Sequence, residues 1–236
     1  MSTLLSIATS VSRRLPLSTD PGSVVGNSDP QVRQMLELIQ ELGDELQTRH
    51  NWSFLHTDWV FTVTSDPMSQ PFPADYDRLE SSSSVWRSSS QLTPLLGPVS
   101  NDSWHDLLNV PGTFPGYWRL VSGTMQTLGV SVSETVTVPY VSTNWILDLN
   151  GATTKSSFTA DTDTTMFDFQ LMATGTRWKW KASKGLEYGE DLSTFERWLE
   201  REIAADRAAR PVSISNIVSE SDAAVSSWPG TIIPLP

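Results

Sequence analysis

The chain of 236 residues contains no cysteine and only three histidines. Without cysteine there are no disulfide bonds, no thiolate metal ligands and no cysteine nucleophiles. His50, His56 and His105 include no pair four residues apart, the spacing that places two metal ligands on one helix face. We therefore expect no bound metal and no cofactor.

Basic residues are also few, because 16 lysines and arginines stand against 27 acidic residues and give a net charge of -11. This balance argues against a protein that wraps nucleic acid by neutralising its phosphates. A negatively charged wall would instead repel a DNA backbone and let it slide past. No run approaches the ~20 apolar residues of a membrane-spanning helix, so we expect no membrane span. The first apolar run precedes its charges, which is the reverse of a secretory signal peptide.

Residues 158–209 are predicted to form two helices separated by a break. Thr165 and Asp168 stand at the spacing of a capping box, so the first helix should begin at about Thr164 or Thr165. Gly185 should end it, because glycine accepts the left-handed conformation that closes a helix. The second helix is amphipathic, and its apolar stripe comprises Leu192, Phe195, Leu199 and Ile203.

Two more helices are predicted near the N-terminus. The first covers about residues 3–13, and the second runs to about His50 with Ser28 or Asp29 as its cap and Pro30 in its first turn.

The middle of the chain changes to a period of two, which is typical of strands. A hairpin is predicted from residues 117–121 and 124–128, around the turn Ser122-Gly123. The order of helices, strands and helices indicates an α+β protein. We expect residues 1–52 and 158–209 to form a helical bundle from the N- and C-terminal helices, with residues 53–157 as a central β-rich insertion.

Residues 210–236 are predicted to form an extended C-terminal tail. They are rich in serine, proline, valine and isoleucine, and Val212-Ser-Ile-Ser-Asn-Ile alternates as strands do when they add to a partner's sheet. A disordered tail is the other interpretation, although purely solvating tails have low hydrophobicity. The apolar residues predicted to contact a partner are Ile214, Ile217, Val225, Trp228, Ile232 and Ile233.

One dense group of basic residues lies at the end of the first predicted C-terminal helix: Arg177, Lys179, Lys181 and Lys184. They suit the negative end of the helix dipole and have Glu187, Glu190 and Asp191 nearby. The other interpretation is that these basic residues contact an acidic face of a neighbouring subunit.

No catalytic arrangement stands out. Asp75 and Asp77 could act as a carboxylate pair for glycoside cleavage, but their spacing favours a solvated turn. Residues 151–156 end like a phosphate loop but lack the glycine before the lysine and the upstream glycine, so nucleotide binding is rejected. Asp161 and Asp163 alternate as in a calcium loop, yet the later glycine and glutamate are missing. We expect a protein that is not an enzyme.

Several segments, in order, resemble the head-to-tail adaptor proteins of short-tailed bacteriophages, the tail tubular protein A-like family. They span about residues 3–209. They are Ser28-Asp-Pro-Gln-Val-Arg-Gln-Met-Leu, Phe72-Pro-Ala-Asp-Tyr-Asp-Arg, Leu95-Leu-Gly-Pro, Tyr140-Val-Ser-Thr-Asn-Trp, Phe158-Thr-Ala-Asp-Thr-Asp, Arg177-Trp-Lys-Trp-Lys-Ala-Ser-Lys-Gly-Leu and Tyr188-Gly-Glu-Asp-Leu-Ser-Thr-Phe-Glu-Arg.

The resemblance implies a structural virion protein that forms a ring of twelve copies between the portal protein and the tail nozzle protein. Tail fibres would attach to the same complex, and DNA would pass through the lumen without sequence-specific binding. The protein would be made in the host cytoplasm and function in the virion. On this interpretation the tail residues contact the portal or a neighbouring subunit.

An alternative function, binding rather than assembly, is that of a β-rich carbohydrate-binding module of a phage tail, whose tryptophans stack on sugars. It requires a row of exposed tryptophans on one face. The candidates are Trp59, Trp86, Trp104, Trp118 and Trp145.

Overall fold

The computed structural model of the chain describes residues 2–15, 20–80, 84–88, 94–109 and 116–208. Within these ranges it combines helices with antiparallel sheets, which confirms the α+β class. The helices are α1 (Leu4–Arg14), α2 (Pro30–Arg49), α3 (Asn101–Leu108), α4 (Phe169–Ser183) and α5 (Gly189–Ala208). The strands are β1 (Ser2–Thr3), β2 (His56–Thr62), β3 (Met68–Pro71), β4 (Tyr76–Leu79), β5 (Trp86–Arg87), β6 (Tyr117–Val121), β7 (Thr124–Leu128), β8 (Thr135–Ser142), β9 (Ile146–Leu147), β10 (Thr154–Lys155) and β11 (Thr164–Thr165).

The described strands form three sheets. The first has the order β1-β11-β9-β10 and joins the N-terminus to the segment that precedes α4. The second has the order β2-β8-β4, and β5 also pairs with β8. The third has the order β3-β7-β6.

The predicted hairpin of β6 and β7 is confirmed. Val121 pairs with Thr124, and the two residues between them, Ser122 and Gly123, have φ values of 47° and 74°. Two positive φ angles in a two-residue loop match the twist of the flanking strands.

The helices begin at side-chain caps that the sequence offers. The Asp29 carboxylate accepts from the amide of Gln31 and Pro30 follows as the first helical residue, as predicted for α2. Ser100 caps α3 by accepting from the amide of Ser103.

The predicted start of α4 is wrong by about four residues. Asp168 is its cap and accepts from the amides of Gln170 and Leu171, so the helix begins at Phe169. Thr165 instead belongs to β11, where it pairs with Ile146 of β9 and Ser2 of β1. A pairing with residues distant in the chain thus overrides the local capping-box pattern.

Gly185 ends α4 as predicted. Its φ is +67°, its amide donates to the Ala182 carbonyl over 3.1 Å, and the Leu186 amide donates to the Lys181 carbonyl over 2.9 Å. These two bonds satisfy carbonyls that a helix end leaves without partners.

Two hydrophobic cores lie in the described part of the chain. The larger one contains buried residues of α1, α2, α4 and α5, together with Trp145 and Ile146. The second takes its residues from two of the sheets, including Phe61 and Val136 from one and Met125 from the other.

Helix α4 contacts α5, α2 and α1, so the expected packing of the two C-terminal helices on each other and of α4 on α2 is confirmed. Between α2 and α5, Arg49 forms an ion pair with Glu196. The approach is close at Gly175, where an added Cβ would lie 2.5 Å from Leu42 and 3.0 Å from Phe195. In the α5 stripe, Phe195 and Leu199 are buried, and Leu192 and Ile203 pack partly buried against the same core.

Candidate interaction surfaces

Arg177 and Lys181, two residues of the predicted basic group, share one acidic partner in the same chain. Arg177 Nη2 lies 2.5 Å from Asp191 Oδ1, and Lys181 Nζ lies 2.6 Å from Asp191 Oδ2. Burial alone would raise the pKa of Asp191, but the hydrogen bond from Lys181 and the charge of Arg177 outweigh it and lower this pKa. The ion pairs connect α4 to the first turn of α5.

Lys179 connects α4 to α2. Its ammonium group lies 2.6 Å from Glu41 Oε1 and 2.8 Å from Glu45 Oε2, and its side chain is only 8% exposed. Burial would lower the pKa of Lys179, but the hydrogen bonds to Glu41 and Glu45 raise it above its usual value. The charge is therefore retained and neutralised locally.

Lys184 is the exposed member of the basic group. Its ammonium group donates to Gln34 Oε1 over 2.7 Å and lies 4.7 Å from the centre of the Trp180 ring. All four cations thus have partners within the chain, and the structure does not gather them into one exposed patch. A contact between these cations and a neighbouring subunit stays a prediction.

The six apolar residues predicted to contact a partner, from Ile214 to Ile233, lie outside the described residues. The last described element before them is α5, and the contacts that fix its C-terminal end were not predicted from the sequence. Asp206 accepts from the Ser53 hydroxyl over 2.6 Å and from the Ser53 amide over 3.2 Å. Its carboxylate also lies 3.0 Å from His50 Nε2. A lone aspartate late in an amphipathic helix carries no sequence signal for such long-range partners.

The loop that precedes β11 is held together by two aspartates. Asp161 accepts from the amides of Val24 and Val25 over 2.9 and 2.8 Å. Asp163 is 1% exposed and accepts from Lys155 Nζ, over 2.8 Å, and from the amides of Thr159 and Ala160. These carboxylates are used to connect separate segments of the chain.

The SU10 adaptor protein family model matches residues 2–214 of this sequence. The chain belongs to the SU10 adaptor protein family. The family confirms the resemblance to phage adaptors on which the sequence analysis drew. No curated protein matches the chain.

The family match covers all of the described residues and extends a short way past them. It ends at residue 214, so it includes Ile214 but not the five later tail residues predicted to contact a partner. The resemblance drawn from sequence segments ended at about residue 209, whereas the SU10 adaptor family extends into the tail.

In this SU10 adaptor, the five tryptophans considered for sugar stacking do not form an exposed row. Trp104, Trp118 and Trp145 are 2%, 6% and 0% exposed. Trp59 is half-buried beside Phe61 and Phe72, and Trp86 is 39% exposed. The exposed row that the carbohydrate-binding alternative requires is therefore not formed by these residues, because Trp118 and Trp145 belong to the two cores and Trp104 is also buried.

Asp75 and Asp77, the carboxylates considered for catalysis, have structural partners. Asp75 accepts from the Tyr140 hydroxyl over 3.0 Å and from the Ser142 hydroxyl over 2.7 Å. Burial, and then this bond to Asp75, raises the pKa of Tyr140 to about 12. Asp77 forms an ion pair with Arg78.

Among the described helices, none is long and apolar enough to cross a membrane.

Proposed function

We propose that this SU10 adaptor is a structural virion protein that joins the portal protein to the tail nozzle as a ring of copies. The family match over residues 2–214 carries the proposal. A ring requires a heterologous interface, in which one face of a subunit contacts a different face of the next. Twelve copies, attachment of tail fibres, synthesis in the host cytoplasm and a place in the portal–tail complex of the virion belong to the same proposal.

Exposed apolar side chains support a role in assembly. Leu186 and Tyr188, in the connection between α4 and α5, are 44% and 41% exposed. Val60 on β2 is 57% exposed. Burial of these side chains against a partner protein would remove apolar surface from water.

The presence of two separate hydrophobic cores supports the assignment of different contacts to two parts of the chain. We propose that residues 1–52 and 158–209 form the helical bundle that contacts the portal, and that residues 53–157 form the insertion that contacts the nozzle. Lys184 is the basic residue best placed for a neighbouring subunit, since it is exposed. The other three basic residues are held in ion pairs on α4.

The charge of the chain supports passage of DNA without specific binding. At a net charge of -11, a lumen lined by this protein would repel phosphates rather than retain them. DNA would therefore pass through the lumen of the ring without being bound at a specific site.

The mass of the full-length protein, measured alone and after addition of the portal protein of the same phage, tests the proposal. We expect a small species alone and a discrete ring complex with the portal. A protein whose mass does not change with the portal, at concentrations of tens of micromolar, contradicts the adaptor role.

A matched pair of tail variants tests the proposed tail contact. Trp228→Ala with Ile232→Ala removes two apolar anchors, and Ser226→Ala with Ser227→Ala changes two neighbouring polar residues. Loss of an anchor that is buried in an interface costs more than about 1 kcal/mol. We expect the first variant to weaken portal binding at least fivefold and the second to leave it unchanged. Equal binding by both variants would remove the tail from the interface.

A further inference from the structure

Strand β2 is a long edge strand whose outer side has no partner among the described residues. It has seven residues and, of the strands that the structure describes, pairs only with β8. Val63, just beyond β2, both donates to and accepts from the β8 side, bonding to Glu134 and Ser133. Because backbone groups alternate along a strand, those of Asp58, Val60 and Thr62 point to the outer edge.

Folded proteins protect long edge strands, since an unpaired edge is a template for another strand. The usual protective devices are charges, prolines and bulges. Of these, β2 has only the charge of Asp58, and its pairing with β8 runs without a register shift from His56 to Thr62. The edge is therefore suited to receive a further strand.

The end of α5 lies close to the beginning of this edge. Asp206 bonds to the amide and hydroxyl of Ser53, and Ser53 precedes His56 by three residues. Three residues span at most about 10 Å. The chain therefore leaves α5 beside the first residue of β2, and the few residues from Ala208 to Val212 are long enough to reach the edge.

The sequence that follows has the pattern that the edge requires. Val212-Ser-Ile-Ser-Asn alternates β-branched and small polar residues and carries no charge. On β2, Phe61 is buried and Trp59 half-buried on the core side, while Asp58, Val60 and Thr62 are exposed on the other.

We propose that residues 212–216 add to the outer edge of β2 of the same chain as a parallel strand. With Val212 beside Thr57, Ile214 extends the core next to Trp59, and Ser215 lies on the solvent side next to Val60. The Ile214 amide then donates to the carbonyl of Asp58. The short connection to α5 favours the chain's own segment over that of another copy, because it raises the effective concentration.

This docking goes beyond the proposed adaptor role and assigns different tasks to the two parts of the tail. Its first residues complete the sheet, and the later ones, which include Trp228 and Ile232, start from a defined position when they meet a partner.

The absence of native cysteine allows a direct test by disulfide trapping in the full-length protein. The variant Val60→Cys with Ser215→Cys is oxidised with diamide, and the matched control is Leu120→Cys with Ser215→Cys. Leu120 is also exposed, at 40%, but lies on β6 of another sheet. We expect a disulfide within one chain to form at least tenfold faster in the test pair than in the control.

Mixing chains labelled with 14N and 15N separates the possible sources of the strand. Cross-links between differently labelled chains would overturn the proposal in favour of exchange between copies. Equal rates in the test and control pairs would overturn it by showing that the segment only collides with the surface.

A pair of proline substitutions, added to the cross-linking variant, tests the backbone pairing itself. Ile214→Pro removes the amide assigned to the Asp58 carbonyl, whereas Ser213→Pro removes an amide that faces away from β2. We expect Ile214→Pro to slow cross-linking to the control rate and Ser213→Pro to change it less than about twofold. An unchanged rate in Ile214→Pro contradicts the strand. No portal protein is used, so the result is independent of the adaptor proposal.

Discussion

Trp145 occupies the space that a side chain at position 43 would need. A Cβ added to Gly43 would lie 2.1 Å from Cζ2 of the Trp145 ring, and the indole is 0% exposed. The same indole donates from Nε1 to Asp44 Oδ1 over 3.0 Å. A residue between two strands of the chain's middle part thus fixes the position of α2.

Gly43→Ala should destabilise the protein although alanine favours helices. The gain in helix propensity is about 1 kcal/mol, whereas overpacking against a buried ring costs roughly 1–3 kcal/mol, and more where the ring has no room to move. We expect a net loss of stability in urea unfolding. Glu37→Ala, at an exposed position of the same helix, is the control and should change stability little. A stabilised Gly43→Ala variant would contradict the close approach.

Asp206→Ala should loosen the end of α5. It leaves the amide and hydroxyl of Ser53 without the carboxylate that accepts from them. The loss of such an acceptor costs about 1–3 kcal/mol. Hydrogen exchange of the last turn of α5 should accelerate, while that of α1 stays unchanged. Glu200→Ala, at an exposed position of the same helix, should leave both unchanged.

The Asp191 ion pairs should make stability depend on pH in the acid range. The pKa of Asp191 is lowered in the folded protein, so the unfolded chain binds the proton more readily. Its stabilising contribution is present above the unfolded value of about 4 and is lost as the pH falls through the folded pKa. Asp191→Asn should therefore be less stable than the wild type at pH 7, and the difference should shrink below pH 4. A difference that is independent of pH would show that the charges do not act.

Tyr140→Phe should alter the alkaline limb of the stability profile. The hydroxyl that donates to Asp75 has a pKa of about 12, above the unfolded value near 10. Stability from this group is fully present below about pH 10 and is lost as the pH rises through the folded pKa. The variant should lose roughly 1–3 kcal/mol near neutral pH and show a flatter decline above pH 10. The measurement is urea unfolding at a series of pH values, with absorbance titration of tyrosine as the check.

Local signals predicted much of the fold. The turn Ser122-Gly123 and the cap Asp29 with Pro30 were found because the chemistry that shapes them lies within a few residues. The start of α4 was misplaced because Thr165 pairs with residues 2 and 146, and no local pattern reveals such partners.

The acidic partners of the basic group on α4 could be predicted only in part, because some of them are distant in the sequence. Asp191 was correctly considered near the basic group, but Glu41 and Glu45, which hold Lys179, come from α2. A lysine with distant acidic partners looks the same in a sequence as a lysine free to bind another subunit.

By itself the sequence determined the α+β class, the caps and turns that delimit several elements, and the adaptor family, since each follows from short-range chemistry or from ordered segments. The tertiary structure decided the burial of Trp145 against Gly43, the pairing of each cation of the basic group and the edge of β2 that has no partner among the described residues. These depend on which distant segments meet, and that is set by packing of the whole chain rather than by the preference of any one segment.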